Sequence, residues 1–159
     1  MPTHVHTADR SLDEWNDVMQ TNATGVFLSM KYELPAMLRA GGGSIINTAS
    51  VGGHRGFAQI GPYGASKAAI LHMTRIAALE NAQRNIRINS ISPGAVDTAM
   101  LRRAIGSWGL SVEQAVEPYP IKRVATVEEM ARSVMYLASD EASIITGTDV
   151  DVTGGYLSR

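Results

Sequence analysis

Residues 44–94 read SIINTASVGGHRGFAQIGPYGASKAAILHMTRIAALENAQRNIRINSISPG. The short apolar run over residues 44–49 follows three glycines and predicts a buried strand. A glycine-rich loop comes next, and residues 63–83, rich in Ala, Leu and Ile, predict a long helix. Residues 86–91 alternate apolar and polar side chains, which predicts a second strand that stops at Pro93-Gly94. Two strands joined by a helical crossover indicate a parallel pair.

The flanking residues continue this alternation of helix and strand. Ser11 and Glu14 fit a capping box, and apolar side chains at three- and four-residue steps predict a helix from there to about residue 38. Pro35 predicts a kink or the start of the end of that helix. A second capping box, formed by Thr126 and Glu129, predicts a helix to about residue 138.

The remaining segments complete the predicted fold. Residues 1–10 are expected to form a loop, residues 95–125 short helical turns, and residues 148–152 a last strand. The resulting order predicts an α/β fold in which three parallel strands carry helices on both faces. A length of 159 residues without a linker or an internal repeat predicts a single domain over residues 1–159.

Composition excludes several classes of function. A formal net charge of −1 without a basic cluster argues against nucleic acid or anionic lipid as a partner. The absence of cysteine excludes disulfides, thiolate metal sites and cysteine nucleophiles. His4 and His6 lie in a predicted terminal loop, where histidines are usually solvated, so we predict no metal site. No apolar run is long enough for a membrane span, and we expect a soluble cytoplasmic protein.

Ligands of a parallel sheet bind beyond the carboxyl ends of its strands. Tyr63 and Lys67 follow the first predicted strand and are four positions apart, so they share one helical face. A nearby ammonium favours the phenolate of a tyrosine, which can exchange a proton with a carbonyl or alcohol oxygen. Such pairs also occur by chance on solvated helices. Ser50, in the loop that leaves the first strand, adds a hydroxyl able to hydrogen-bond the same oxygen.

These residues belong to an ordered set of motifs that resembles the short-chain dehydrogenase/reductase family. The Tyr-x-x-x-Lys pair is weak alone, whereas the ordered set is specific and covers nearly the whole chain. The matching stretches are Asn22-Ala23-Thr24-Gly25, residues 43–50, Tyr63-Gly64-Ala65-Ser66-Lys67, residues 87–94, residues 123–129 and residues 145–155.

The resemblance implies a Rossmann-like, doubly wound fold and hydride transfer between NAD or NADP and a carbonyl/secondary alcohol pair. Tyr63 resembles the general acid/base of the family, and Ser50 the residue that orients the substrate oxygen. Lys67 resembles the lysine that binds the nicotinamide ribose and lowers the pKa of the catalytic tyrosine. Asn22 resembles the helix residue that holds a water in the proton relay. The resemblance places Pro93, Gly94, Val96 and Thr98 along the nicotinamide, beside Tyr63 and Lys67.

The sequence departs from the family pattern in one large respect. The glycine-rich turn that binds the pyrophosphate, and the residue that distinguishes NAD from NADP, have no counterpart here. Residues 41–43 cannot substitute, because they precede a strand instead of joining a strand to a helix. The chain therefore matches the second half of the doubly wound domain, and Met1 is expected to be an internal methionine. We expect an unpaired edge on the first strand, and a chain that aggregates or is completed by another chain.

Two further expectations follow from the resemblance. Residues 100–119 lie where the family closes over its substrate, and their apolar side chains suggest a hydrophobic or cyclic ketone. The family also implies a homodimer or homotetramer in which the two long helices pair across subunits. The alternative hypothesis is a catalytically inactive fragment or interaction module that cannot hold the dinucleotide. His54, four positions after Ser50, suggests a hydrolase only weakly, because no Gly-x-Ser-x-Gly elbow is present; it is expected to line the substrate loop.

Overall fold

Three parallel strands form one sheet in the computed structural model, which describes residues 5–158. They are β1 (Gly43–Thr48), β2 (Ile86–Pro93) and β3 (Asp149–Val152), and they lie in the order β1-β2-β3. Both pairs are parallel, so the predicted α/β fold with a three-stranded parallel sheet is confirmed. Met1 and His4, which the sequence predictions mention, lie outside the described residues.

The first long helix is interrupted near its middle. The capping box of Ser11 and Glu14 opens α1 (Leu12–Met19). A π-helical turn over Gln20–Thr24 lies between α1 and α2 (Gly25–Ala40), so the predicted helical span is confirmed but contains a π turn that was not predicted. A π turn inserts one extra residue, which the three- and four-residue spacing of apolar side chains does not reveal.

Pro35 lies inside α2 and does not end it. The helix continues to Ala40 and stops at Gly41, which adopts a left-handed conformation with φ of 87°. Leu34 and Met37, on either side of Pro35, pack against the buried core next to β1. Burial of these side chains offsets the hydrogen bond that proline removes, so the helix continues through Pro35 and ends close to the predicted residue 38.

The other helices surround the sheet at the predicted places. A 3-10 turn, Thr7–Asp9, lies within the predicted terminal loop. The segment after β2 contains a ten-residue helix where only short turns were predicted. The capping box of Thr126 and Glu129 is formed. The helices are α3 (Gly61–Asn81), α4 (Ala99–Trp108), α5 (Val112–Val116) and α6 (Val127–Ala138).

Helices cover both faces of the sheet, as predicted. On one face, Met30 of α2 and Ala78 of α3 are buried against Ile86 and Ile88 of β2. On the other face, Ile91 of β2 is buried against α6 and the turn that follows it. Side chains of a strand alternate between the two faces, so a single strand contributes to both cores.

β1 is an edge strand within residues 5–158, in agreement with the expected unpaired edge. A groove of about 490 Å³ follows this edge and is lined by the π turn, α2, β1 and α3, with Asn22 and Lys67 among its walls. No helix of the described residues is long and apolar enough to cross a membrane.

Candidate active site

The sheet register brings the three predicted loops to one edge. Thr48 pairs with Ile91, and Pro93 pairs with Val152. Ser50 follows Thr48 by two residues and is therefore level with Pro93. The loops that leave β1, β2 and β3 meet at the carboxyl edge of the sheet, where parallel sheets bind their ligands.

A tight turn holds the Ser50 hydroxyl beside the ring of Tyr63. Ser50 caps a 3-10 turn over Val51–Gly53, and its Oγ accepts a hydrogen bond from the Gly52 amide at 3.1 Å. A β-carbon on Gly52 would lie 3.6 Å from Ser50 Oγ and 3.4 Å from Tyr63 Cε1. Both side chains therefore lie next to the same point beside Gly52.

Glycine allows this turn to approach α3 closely. A β-carbon on Gly53 would lie 2.8 Å from the carbonyl carbon of Lys67, which is closer than van der Waals contact allows. A β-carbon on Gly64 would lie 3.0 Å from the Gly52 carbonyl oxygen. The glycines thus set the distance between the Ser50 turn and the first turns of α3.

Lys67 lies one helical turn after Tyr63 and faces the groove beside β1. Its Nζ donates a hydrogen bond to the Thr48 carbonyl oxygen at 2.8 Å and lies 5.7 Å from the centre of the Tyr63 ring. Partial burial lowers the pKa of Lys67, because it disfavours the charged ammonium. The hydrogen bond to the Thr48 carbonyl fixes the position of Lys67 Nζ near the phenol.

Asn22 connects the π turn to the helix that carries Tyr63. Its Nδ2 donates to Ser66 Oγ at 3.0 Å, and the fully buried Ser66 hydroxyl donates to the Tyr63 carbonyl oxygen at 2.7 Å. π turns interrupt regular helices frequently at functional sites. This one places Asn22 next to the helix turn that presents Tyr63 and Lys67.

Two of the four residues expected along the nicotinamide lie close to other loops of the same edge. A β-carbon on Gly94 would lie 2.6 Å from Tyr119 Cε1 and 3.1 Å from the backbone of Thr153. Gly94 therefore lets the loop after β2 pack under the tail that follows β3. Pro93, the last residue of β2, fixes where this loop begins.

The other two, Val96 and Thr98, are held by local backbone contacts. Val96 forms a parallel bridge with Ala125. The Thr98 hydroxyl caps α4 by accepting from the Leu101 amide at 3.2 Å, and it donates to the Val96 carbonyl at 3.3 Å. Thr98 therefore serves the start of α4.

His54 does not act on Ser50, which removes the hydrolase interpretation. Its Nε2 lies 2.8 Å from Asp149 Oδ2 and 3.1 Å from Ser92 Oγ. A Ser-His-Asp relay needs the serine and the carboxylate on opposite ring nitrogens, whereas here both contact the same one. The sequence could not reveal this cluster, because Asp149 is 95 positions away and becomes a neighbour only through the strand order.

An aromatic cluster joins the three loops of the carboxyl edge. Phe57 and Tyr156 stack with ring centres 5.8 Å apart, and Tyr119 lies 4.8 Å from Tyr156. The Arg55 guanidinium lies 5.9 Å from the centre of the Tyr156 ring. No sequence spacing predicts this cluster, because its rings come from three separate loops.

Known proteins match this chain over nearly its whole length. The family model described as "Enoyl-(Acyl carrier protein) reductase" matches residues 1–157. The chain belongs to the short-chain dehydrogenase/reductase family. A cyclohexanol dehydrogenase of Acinetobacter sp. (strain SE19) is 40% identical over 153 residues, which cover 96% of this chain and 59% of that protein. A 2,5-dichloro-2,5-cyclohexadiene-1,4-diol dehydrogenase of Sphingobium indicum is also 40% identical, over 94% of this chain and 60% of that protein.

Solved structures of short-chain dehydrogenases/reductases have the same fold. Levodione reductase superposes with a TM-score of 0.95 at 33% identity and covers 99% of this chain, which spans 63% of the reductase. ElxO with bound NADP superposes with a TM-score of 0.92 at 30% identity, over 100% of this chain and 64% of ElxO. The chain thus spans about three fifths of the length of the family members it matches.

The described residues of this family member fit only part of a dinucleotide. Lys67 Nζ, at the wall of the groove, is a donor of the kind that binds a ribose hydroxyl, whereas the space beside Gly94 is filled by Tyr119 and Thr153. Gly41 and Gly42, at the opposite, amino end of β1, provide no cradle for a pyrophosphate at this edge. Within residues 5–158, no cluster of three or more His, Asp or Glu side chains could hold a metal ion.

Proposed function

We propose that this chain carries the proton-transfer half of an NAD(P)-dependent oxidoreductase that interconverts a secondary alcohol and a carbonyl. The observation that carries this proposal is the position of Ser50 Oγ and the Tyr63 ring on two sides of the space above Gly52. Lys67, held by the Thr48 carbonyl, adds a positive charge on the same face of α3. These three groups form the catalytic set, and Asn22 supports it through Ser66.

The side chains divide the proton transfer between them. When an alcohol is oxidised, its O–H bond breaks and the proton passes to the phenolate oxygen of Tyr63. The Ser50 hydroxyl donates a hydrogen bond to the same substrate oxygen and fixes its position. The Lys67 cation stabilises negative charge on the phenol oxygen, because opposite charges attract strongly in a partly buried site. In the reverse direction Tyr63 returns the proton to the carbonyl oxygen.

A nicotinamide dinucleotide supplies the hydride acceptor when it is bound. Lys67 and Tyr63 would hold the ribose next to the ring, and Pro93, Gly94, Val96 and Thr98 would lie along the nicotinamide side of the loop after β2. Titration of the purified chain with NADH and NADPH measures how much of this binding the described half provides. Micromolar binding favours an enzyme, whereas no binding favours the alternative of an inactive fragment or interaction module.

The substrate class that we propose is a small cyclic secondary alcohol or its ketone. The names of the relatives from Acinetobacter and Sphingobium specify six-membered ring alcohols. The aromatic cluster of Phe57, Tyr119 and Tyr156 lies at the same sheet edge as Tyr63, where an apolar ring would pack. A comparison of kcat/KM for cyclohexanol and for a linear secondary alcohol of equal carbon number tests this assignment.

We further propose that the protein is a homodimer or homotetramer. Large apolar side chains are exposed along α2 and α3, including Phe27 (49%), Tyr32 (69%) and Leu79 (84%). Exposed apolar surface of this kind is covered in an oligomer. Light scattering of the purified protein is expected to give two or four copies, and a monomer at high concentration would contradict this assignment.

Substitution of Tyr63 tests the proposed function. In a form of the protein that binds the dinucleotide, Tyr63→Phe removes only the phenol oxygen, so the fold is retained. Turnover is expected to fall about 100- to 10,000-fold, the range for loss of a general acid/base. Tyr136→Phe, on exposed α6, is the matched control and should keep normal turnover. Normal turnover in Tyr63→Phe would refute the assignment.

A further inference from the structure

His54 is clamped between the ends of two strands, outside the proposed catalytic set. Its Nε2 is 2.8 Å from Asp149 Oδ2 at the start of β3 and 3.1 Å from Ser92 Oγ near the end of β2. Asp149 Oδ1 accepts from Ser90 Oγ at 2.5 Å. The Asp149 side chain is only 7% exposed, and that of His54 is 26% exposed. A buried carboxylate needs donors, so Nε2 carries the proton and donates to Asp149.

His54 lies at one end of the 3-10 turn over Val51–Gly53, and Ser50 lies at the other end. The Gly53 amide donates to the Ser50 carbonyl at 2.9 Å, and the His54 amide donates to the Val51 carbonyl at 3.1 Å. These bonds make the four residues from Ser50 to Gly53 one short, stiff connection to the His54 ring.

The composition of the turn explains why an anchor matters. Gly52 and Gly53 have no β-carbon, so the unrestrained backbone of this turn is more flexible than it would be with other residues at these two positions. Close packing against α3 restrains the turn on one side. The bonds of His54 to Asp149 and Ser92 restrain it on the other side, toward the strands.

We propose that His54 is a positioning residue for Ser50, held by Asp149, and that it fixes the serine hydroxyl relative to Tyr63. This inference rests on the proposed function, because only a catalytic Ser50 needs its hydroxyl at a fixed position relative to Tyr63. His54 itself touches neither substrate nor cofactor in this role. Loss of the contacts of His54 with Asp149 and Ser92 is expected to displace Ser50 Oγ. The chemical step should then be slower, because small displacements of a reacting group lower its rate strongly.

The test is a set of His54 variants in two backgrounds of the dinucleotide-binding form. His54→Leu removes the donor to Asp149, and His54→Gln keeps an N–H at a similar distance from the backbone. With Ser50 present, His54→Leu should lower kcat about tenfold with little change in KM, and His54→Gln should restore most of kcat. In the Ser50→Ala background, His54→Leu should change kcat less than twofold. His72→Leu, on the exposed side of α3, is the matched control.

Each outcome separates this inference from the proposed function. An equal loss of kcat from His54→Leu in both backgrounds, or a lowered melting temperature with normal kcat, would overturn the positioning role alone. Normal kcat in Ser50→Ala would overturn both the positioning role and the place of Ser50 in the catalytic set. A loss confined to the Ser50-containing background, with rescue by glutamine, supports the inference.

Discussion

The turn after β1 and the excursion after β2 reach the same sheet edge but are built differently. The turn presses its glycines against α3 so closely that Gly53 has no space for a β-carbon. The excursion, residues 99–116, leaves open space at Gly106 and exposes Met100 (55%) and Trp108 (45%). Ser50 therefore lies on a turn packed tightly against the helix that carries Tyr63 and Lys67, whereas residues 99–116 present exposed apolar side chains to solvent.

This contrast separates two kinds of sequence constraint. In the proposed mechanism, proton transfer requires fixed distances between Ser50, Tyr63 and Lys67, so we expect small residues at set spacings to be required there. The excursion can tolerate different side chains without disturbing those distances. We therefore expect substitutions in the turn to alter turnover and substitutions in the excursion to alter stability or substrate choice.

Substitution of one glycine by alanine in each region is expected to give the largest difference in turnover and in unfolding free energy. Gly53→Ala forces the turn away from Lys67, so turnover is expected to fall about 100-fold, as for a roughly 1 Å misplacement. The unfolding free energy should fall by about 1–3 kcal/mol from overpacking. Gly106→Ala, in open helix, should instead raise it by about 0.5–1 kcal/mol. Normal turnover and stability in Gly53→Ala, measured by steady-state kinetics and thermal unfolding, would remove the contrast.

Removing the cation tests how far the constrained region depends on Lys67. Lys67→Met keeps the length of the side chain but loses the charge and the bond to the Thr48 carbonyl. Without the cation, the phenolate of Tyr63 has no opposite charge nearby, so turnover should fall roughly 10- to 150-fold. Lys67→Arg should lose less, because the charge remains. Turnover within twofold of normal in the methionine variant would exclude Lys67 from the catalytic set.

Thr98 immediately precedes α4, and we consider two roles for its side chain. As the cap of α4, its loss in Thr98→Ala should lower the unfolding free energy by about 1 kcal/mol, and Thr98→Ser should keep it. As a contact of the nicotinamide, its loss should weaken dinucleotide binding. Denaturant unfolding and a dinucleotide titration of both variants distinguish the roles. Unchanged stability in Thr98→Ala would contradict the capping geometry.

The smallest expected effect concerns acid stability far from the site. The bonds from Arg123 and the Thr126 amide lower the pKa of Glu129 to about 2, from an ordinary 4.5. Because the pKa is lower in the folded state, the stabilisation is complete above pH 4.5 and is lost as the pH falls toward 2. Glu129→Gln should therefore flatten the dependence of the melting temperature on pH in that interval. An unchanged slope would show that this partly exposed pair contributes nothing measurable.

Local sequence patterns predicted most of the fold. The alternation in β2, the capping boxes at Ser11 and Thr126, and the glycines before β1 each indicate an element through interactions within a few residues. The π turn escaped prediction, because apolar spacing fits it nearly as well as a regular helix. The helix was predicted to about residue 38 and ends at Ala40; packing against the core holds it regular through Pro35, where the sequence suggested a kink or the start of its end.

The contacts of the candidate site also differ in how far the sequence alone could predict them. Tyr63 and Lys67 are neighbours on one helix, so their proximity could be predicted from spacing alone. The pairing of His54 with Asp149 and the stacking of Phe57 on Tyr156 depend on the order of strands in the sheet, which the chain spacing does not encode. Asp97 pairs with Arg102 at 2.8 Å, while the neighbouring Thr98 provides the cap of α4.

One double-mutant cycle asks whether the hydroxyl after β1 and the phenol of α3 work on a common substrate atom. It compares kcat for Ser50→Ala, Tyr63→Phe and the double variant in the dinucleotide-binding form of the protein. Groups that act as a unit are strongly non-additive, so the double variant should be no slower than Tyr63→Phe by more than about threefold. Fully multiplicative losses would mean that the two side chains act independently, which would contradict the shared site above Gly52.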